Sequence, residues 1–211
     1  KTSVADIQSR LSEPDINDEV RATFGRLTEH LGENTVDLAK TPLVLGPTLK
    51  IDVGWQEALA VVQEARTRFP ADSDLTYDEA MIAERLGRHA DAERLLREVI
   101  KLKPEDPQAY NALGYSMADR GVRLPEARQL ILKAVEAAPD DPFIQDSLGW
   151  VEYRMGNRDE ALRLLNRAYA ARPDTEIGAH LGEVLWSLGM KDEARRVWRE
   201  SKGRDASNDV L

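Results

Sequence analysis

The chain has 211 residues, of which 42% are hydrophobic and 32% are charged, with a formal net charge of -9 and no cysteine. An acidic surface repels phosphate on average, which argues against nucleic acid as a partner. The lack of cysteine excludes disulfides and zinc-thiolate sites but is compatible with the cytoplasm and with a bacterial periplasm. No apolar run approaches the ~20 residues of a membrane-spanning helix, so we expect no transmembrane segment.

Residues 1–53 contain one predicted helix and one irregular stretch. Apolar residues at helical spacing predict an amphipathic helix over 15–31, and Gly32 supplies its stop. Between residues 40 and 54 the pattern fails, because two prolines interrupt it. We expect a domain boundary here, formed either by an irregular N-terminal cap or by repeats of a longer protein that are omitted. The chain starts with Lys1, so we also expect it to be processed or trimmed.

From residue 54 onward the sequence repeats. An alanine recurs at intervals of 34, 35, 34 and 33 residues, at Ala58, Ala92, Ala127, Ala161 and Ala194. A proline follows the first four of these alanines by 12 residues, at Pro70, Pro104, Pro139 and Pro173. A period of about 34 residues built from two amphipathic stretches indicates stacked helical hairpins. We therefore predict a lone helix over 55–70, then antiparallel helix pairs over 73–201.

Glycines mark both the turns and the helix contacts of these pairs. The predicted turns lie at Gly87, Gly121, Gly156 and Gly189. A second glycine precedes three of the turns by seven residues, at Gly114, Gly149 and Gly182. There the missing side chain lets one helix approach its partner closely, which offsets the ~1 kcal/mol helix cost of glycine. The second block is one residue longer, and we expect a longer loop between its helices.

The repeat resembles that of a known family. Leu148, Gly149, Gly156, Ala161, Leu165, Ala168 and Pro173 follow the tetratricopeptide repeat pattern in order and spacing. The resemblance covers roughly residues 54–206 and implies an all-α, right-handed helix-turn-helix solenoid over 54–211. This solenoid would comprise one half repeat and then about four repeats, preceded by the extra N-terminal helical segment. The first block departs from the pattern, with Glu79 and Ala80 in place of Leu-Gly.

A narrower resemblance concerns three runs within the repeats. Residues 111–115, 146–153 and 179–186 are similar to the C-terminal repeats of proteobacterial tetratricopeptide proteins. That group includes outer-membrane lipoproteins that act as adaptors of a periplasmic carboxyl-terminal processing protease. The resemblance implies a bacterial scaffold that is periplasmic or associated with the outer membrane, with a cytoplasmic location as the alternative.

Sequence motifs for chemistry are scarce. The chain has neither a Gly-x-Ser-x-Gly elbow nor a glycine-rich phosphate loop. Its three histidines, His30, His89 and His180, lie on unrelated elements without a second histidine or a suitably spaced acidic residue close by in sequence. The pair Asp140 and Asp141 is better explained by helix capping than by paired-carboxylate catalysis. We therefore predict no catalytic residue, no metal site, no cofactor and no enzyme activity.

The resemblance places the first helix of each hairpin on a concave surface. The partner-binding residues predicted on that surface are Tyr77, Met81, Asn111, Tyr115, Asp119, Asp146, Trp150, Tyr153, Arg154, Glu183 and Trp186. Trp150 and Tyr153 are expected at its centre, supporting little of the core between helices, because they lie one helical turn apart on the middle repeat, between Tyr115 and Trp186. We expect them to face the ligand, because aromatic anchors supply most of the energy in many interfaces. The alternative is that some of the aromatic residues cement adjacent repeats.

Aromatic and acidic residues alternate on this surface, which predicts a protein or peptide partner with apolar anchors and basic residues. The family's carboxylate clamp for chaperone tails is matched only at Asn111, so that ligand is disfavoured. Two function classes remain. The first is a scaffold or adaptor that binds a polypeptide in the groove. The second is an assembly element, a possible homo-oligomer, that docks through the helix 15–31 or the open C-terminal edge.

Overall fold

The computed structural model describes the backbone of residues 49–202 and the side chains of residues 54–202 other than Glu57. Within that range the chain is helical throughout its regular elements and has no strand. The predicted helix 15–31, most of the irregular stretch and the C-terminal edge lie outside the described residues. The helices belong to two compact units, residues 1–103 and 104–211, which are taken separately below.

The described part of the first unit contains three helices. They are α1 (Leu49–Arg68), α2 (Ser73–Arg85) and α3 (His89–Leu102). The lone helix predicted over 55–70 is therefore present and begins earlier, at Leu49. α1 packs against α2, and α2 pairs with α3. The core of this unit is formed by Trp55, Leu59, Val62, Leu75 and Ile82, with small alanines between them.

The substitution at Glu79 in the first repeat has a local explanation. Glu79 is 5% exposed on α2, and its carboxylate accepts hydrogen bonds from Arg66 and, at 3.0 Å, from Gln63 Nε2. Arg66 also donates to Glu98 on α3 at 2.8 Å. Because both oxygens of the buried carboxylate accept hydrogen bonds from α1, one of them from a guanidinium, an acid can stand where the repeat pattern has leucine.

The second unit is built from three hairpins. Its helices are α4 (Pro107–Asp119), α5 (Leu124–Ala137), α6 (Pro142–Arg154), α7 (Arg158–Ala171), α8 (Thr175–Ser187) and α9 (Lys191–Lys202). α4 pairs with α5, α6 with α7 and α8 with α9, and the first helices α4, α6 and α8 lie side by side. No described helix of either unit combines the length and apolar character needed to cross a membrane. The predicted all-α tetratricopeptide architecture is confirmed.

The predicted turns are confirmed by their backbone geometry. Gly87, Gly121, Gly156 and Gly189 have φ of +69°, +66°, +91° and +83°. This left-handed conformation is open to glycine without steric cost. The extra residue of the second block lengthens its turn as expected, since α4 ends at Asp119 and α5 begins at Leu124. Arg123 in that turn adopts φ of +48° without being glycine.

The helix-contact glycines also lie where the sequence predicts. A methyl group added to Gly149 would stand 2.7 Å from Leu165 Cγ, and one added to Gly114 would stand 2.6 Å from Ile131 Cγ1. Such distances are too short for a side chain, so the helices of each hairpin approach at these positions because the residue is glycine.

Aspartates begin the first helices. The N-cap residues of α2, α4, α6 and α8 are Asp72, Asp106, Asp141 and Asp174, and each accepts a hydrogen bond from a backbone N–H of the first turn. Asp141 accepts from the N–H groups of Phe143 at 2.9 Å and Ile144 at 3.2 Å. The capping interpretation of Asp141 is thereby confirmed.

Candidate partner-binding surface

Most of the predicted binding residues lie on α4, α6 and α8. We call the surface made by these three helices the first-helix surface. Consecutive first helices are one repeat apart along the chain, so equivalent positions of the repeat lie on neighbouring helices of this surface. Asn111, Asp146 and His180 occupy one such position, since they are 35 and 34 residues apart.

Four polar side chains of this surface form a connected group, which we call the polar cluster: Tyr115, Asp146, Glu176 and His180. The Tyr115 hydroxyl lies 3.0 Å from Glu176 Oε1 and 3.3 Å from His180 Nε2. His180 Nδ1 lies 3.0 and 2.8 Å from the two carboxylate oxygens of Asp146. The cluster joins α4, α6 and α8. The side chains of His180 and Asp146 are 7% and 5% exposed.

The predicted anchor Trp150 is part of the packing between repeats. Its residue is 5% exposed, and its ring stacks on His180 at a centroid distance of 4.3 Å and an interplanar angle of 19°. The expectation that Trp150 supports little of the core is therefore wrong, because the helix α8 covers its ring. The contacts of Trp150 match the alternative interpretation, in which an aromatic residue packs between adjacent repeats. Its part in binding stays a prediction.

Around Trp150 lie two more of the predicted residues. The Tyr153 ring is 5.4 Å away between centroids, and the Arg154 guanidinium lies 5.6 Å from the Trp150 ring. Arg154 also donates a hydrogen bond to the backbone carbonyl of Asp119, which links the end of α4 to α6. Tyr115, Tyr153 and Arg154 keep part of their surface exposed, while Asp119 and Glu183 are exposed.

The predicted residue Trp186 makes its ring contacts within its own hairpin. It is 41% exposed and contacts Trp198 at 5.7 Å, with Lys191 and Arg195 near its ring. Tyr77 and Met81 lie on α2 of the first unit, where both are half-buried. In the second unit the structure brings Tyr115, Asp146, Trp150, Tyr153 and Arg154 together.

Two buried polar atoms of the first-helix surface lack a hydrogen-bond partner among the described residues. They are Asn111 Oδ1 and Trp150 Nε1. An unpaired buried polar group costs about 1–3 kcal/mol. The ring of Trp150 is thus held by stacking on His180 rather than by a hydrogen bond from its indole nitrogen.

Burial and negative charge shift two pKa values in the polar cluster. Burial raises the pKa of Tyr115, and the carboxylate of Glu176 raises it further. Burial alone would lower the pKa of His180, but the charge and hydrogen bond of Asp146 oppose it, and Glu176 and Asp119 add to their effect. The pKa of His180 is consequently raised above its ordinary value.

His180 was missed as a member of the site, whereas Glu176 was expected on the concave surface. The histidine had no acidic partner close by in sequence, because Asp146 is 34 residues away. That separation is one repeat, so aligning the repeats would have placed the two residues on adjacent helices. Among the described residues no group of three His, Asp or Glu side chains is placed to hold a metal ion.

Helical hairpins of this period, with glycine turns and first helices side by side, define a repeat protein of the tetratricopeptide class. The tetratricopeptide repeat profile matches residues 54–107, 77–142 and 147–209, which is more than half of the chain. The chain belongs to the tetratricopeptide repeat family. Proteins of this family bind other proteins.

The chain is similar to a TPR repeat-containing protein of Pseudomonas aeruginosa, with 46% identity over 128 residues. The match covers 61% of this chain and 22% of that relative, so the chain spans less than a quarter of the relative's length.

Three solved structures share the fold. A thermophilic TPR protein of Thermus thermophilus superposes with a TM-score of 0.68 at 24% identity, covering 81% of this chain and 94% of that one. PilW, a type IV pilus biogenesis factor, gives 0.66 at 17% identity over 92% and 81%. MamA of Desulfovibrio magneticus gives 0.60 at 16% identity over 92% and 99%. At these identities the likeness concerns the fold alone.

Proposed function

We propose that the chain is a non-enzymatic scaffold or adaptor that binds a partner polypeptide along the first-helix surface of α4, α6 and α8. One observation carries the proposal: exposed acids and partly exposed tyrosines from three successive repeats meet on this surface. The acids are Asp119, Glu176 and Glu183, and the tyrosines are Tyr115 and Tyr153. A surface made by three equivalent helices suits an extended or helical segment.

The chemistry of the surface favours a partner with basic residues and apolar anchors. The tyrosine rings offer apolar contact with a polar handle, which suits them to anchor positions. The exposed carboxylates raise the association rate of a basic segment and oppose an acidic one. Arg154 is the one lysine or arginine on α4, α6 and α8, so negative charges outnumber positive ones on these helices.

The narrower resemblance extends the proposal to a location and a role. We place the chain in the periplasm or at the outer membrane of a proteobacterium, where it recruits a carboxyl-terminal processing protease or its clients. The similarity to a Pseudomonas aeruginosa protein supports the bacterial group. A cytoplasmic scaffold with the same surface remains the alternative.

A pair of matched charge reversals tests the surface. The first variant carries Asp119→Lys and Glu183→Lys on the first helices, and the control carries Asp159→Lys and Glu193→Lys on the second helices α7 and α9. All four residues are exposed, and the change in net charge is equal. We expect partners captured from an extract of the source organism, quantified by mass spectrometry, to be lost with the first variant and kept with the control. Equal capture by the two variants would place binding elsewhere.

The assembly alternative has one observation in its favour. Trp186 and Met190, at the turn of the α8–α9 hairpin, are 41% and 37% exposed, and large exposed apolar groups are typical of contact surfaces. A homo-oligomer formed there would increase in mass with concentration in light scattering, and Trp186→Ser would abolish the increase. A monomer at all concentrations would exclude it.

A further inference from the structure

A neutral His180 has too few N–H groups for all the hydrogen bonds of the polar cluster to form at once. His180 Nδ1 faces both oxygens of Asp146, so this nitrogen carries a proton and donates. His180 Nε2 faces the Tyr115 hydroxyl, and the same hydroxyl faces Glu176 Oε1. Three contacts therefore run in series from α6 through α8 to α4 and back to α8.

The protonated imidazole completes this series. Its Nδ1–H donates to Asp146, its Nε2–H donates to the Tyr115 oxygen, and the Tyr115 hydroxyl proton remains for Glu176. In the neutral ring Nε2 is an acceptor, and the single proton of Tyr115 must serve either Nε2 or Glu176. One of the two contacts is then lost: either the buried Nε2 is left without a donor, or the exposed carboxylate of Glu176 exchanges the tyrosine proton for water.

The charged groups around the ring favour the protonated form. Asp119 of α4, Asp146 of α6 and Glu176 of His180's own helix act on the imidazole with negative charge, and their combined effect exceeds the penalty of burial, so the pKa of His180 is raised. The stacked indole of Trp150, 4.3 Å away, favours a cation on its face. One cation lies beside the group: Arg154, held over the same indole at 5.6 Å.

We propose that protonated His180 acts as a clasp: it connects the first helices of three successive repeats through hydrogen bonds, and one of these hydrogen bonds is lost when the imidazole loses its proton. The clasp goes beyond the proposed function, because it concerns the packing of the second unit without any partner. The tie connects α8 both to its neighbour α6 and, through Tyr115, to α4, one repeat further away. Deprotonation is expected to loosen α8 against α4.

The direction of the pH dependence follows from the raised pKa. A histidine whose pKa is higher in the folded than in the unfolded chain contributes stability that is fully present below the unfolded value of about 6.5. That contribution is lost as the pH rises through the higher folded value. The second unit is therefore expected to be less stable in mildly alkaline than in mildly acidic solution, as far as His180 is concerned.

A histidine titration followed by NMR tests the clasp directly. The chain has three histidines, so the imidazole signal of His180 is assigned by its disappearance in His180→Gln. We expect its midpoint above 6.5 and expect both Asp146→Asn and Tyr115→Phe to lower it. The first removes the charge and hydrogen bond that favour the imidazolium, and the second removes the hydroxyl oxygen that faces Nε2. A midpoint at or below 6.5, or one that neither variant moves, would overturn the proposal.

The second measurement is the free energy of unfolding of the full chain between about pH 6 and about pH 9, compared for wild type and Tyr115→Phe. We expect the stability difference between the two to shrink as the pH rises. Tyr115→Phe keeps the ring and its packing, so a purely structural role would give a difference independent of pH and would contradict the clasp.

Discussion

The indole of Trp150 is buried, although its N–H group donates no hydrogen bond to a described residue. Its ring is stacked under His180, and Nε1 has no acceptor among the described residues. Removing such a ring takes away packing on both sides, whereas removing only the nitrogen takes away no hydrogen bond. Stability at this residue therefore depends on the volume and flatness of the side chain.

Trp150→Ala is expected to cost about 3–5 kcal/mol, as for other buried aromatic side chains. Trp150→Phe keeps a flat ring on His180 and loses no hydrogen bond, so it is expected to cost clearly less. Denaturant unfolding of the two variants measures the difference. If phenylalanine proved as costly as alanine, the indole nitrogen would have to make a contact that the structure does not show.

The close approach at Gly149 leads to a second prediction at this scale. A methyl group there meets Leu165 Cγ at 2.7 Å, so Gly149→Ala is expected to lower stability by about 1–3 kcal/mol, and Gly149→Leu by more. Gly54 in α1 is the matched control, because a methyl group added there has no atom within 4 Å. Gly54→Ala is expected to raise stability by about 0.5–1 kcal/mol through helix propensity. Equal melting temperatures for both alanine variants would contradict the packing argument.

The elements of the repeat differ at their beginnings. The first helices α4, α6 and α8 are preceded by a capping aspartate. The N-cap residues of the second helices α5 and α7, Arg123 and Asn157, make no side-chain cap hydrogen bond. A second helix follows its partner through a turn that contains a left-handed glycine, which already directs the chain. The connections into the first helices contain no glycine, so the capping side chain contributes more to directing the chain there.

Two adjacent aspartates allow a sharp test of the cap. Asp141→Ala is expected to cost about 1 kcal/mol, because the N–H groups of Phe143 and Ile144 lose their acceptor. Asp140→Ala removes a carboxylate that pairs with Arg167 at 3.2 Å on the exposed surface, and it is expected to change stability by less than about 0.5 kcal/mol. Thermal unfolding of the two variants compares them, and the reverse order would argue against capping.

For the whole molecule, the net charge of -9 and the exposed acids of the first-helix surface act in the same direction. Both attract a basic partner over distances longer than a hydrogen bond. Such attraction is screened beyond about 10 Å at ordinary salt, so it affects association more than dissociation.

The association rate of the captured partner is accordingly expected to fall as salt is raised from about 50 mM to about 500 mM, with a smaller change in the dissociation rate. Surface plasmon resonance resolves the two rates. Asp119→Lys with Glu183→Lys should flatten the salt dependence, and Asp159→Lys with Glu193→Lys should leave more of it. A rate independent of salt would show that the partner is recognised through apolar contacts alone.

The sequence by itself determined the repeat, its turns and its caps, because each depends on residues close together along the chain. Glycines at left-handed turns, aspartates at helix starts and a constant alanine spacing all act within one hairpin. The same spacing predicts which helices are first in their hairpins, and the family resemblance implies which of their residues share one surface, although His180 was not among those expected.

The packing of these side chains could not be predicted from the sequence, because it depends on contacts between residues that are far apart along the chain. The Tyr115 hydroxyl meets His180 across 65 residues, and His180 meets Asp146 across 34. Periodicity predicts that such residues share a face, but the stacking of repeats sets which ring is covered and which remains exposed. That is why Trp150 is buried beneath His180 while Trp186, another predicted member of the same face, is exposed. The burial of a side chain depends on the neighbouring repeat, and its own sequence segment does not contain that information.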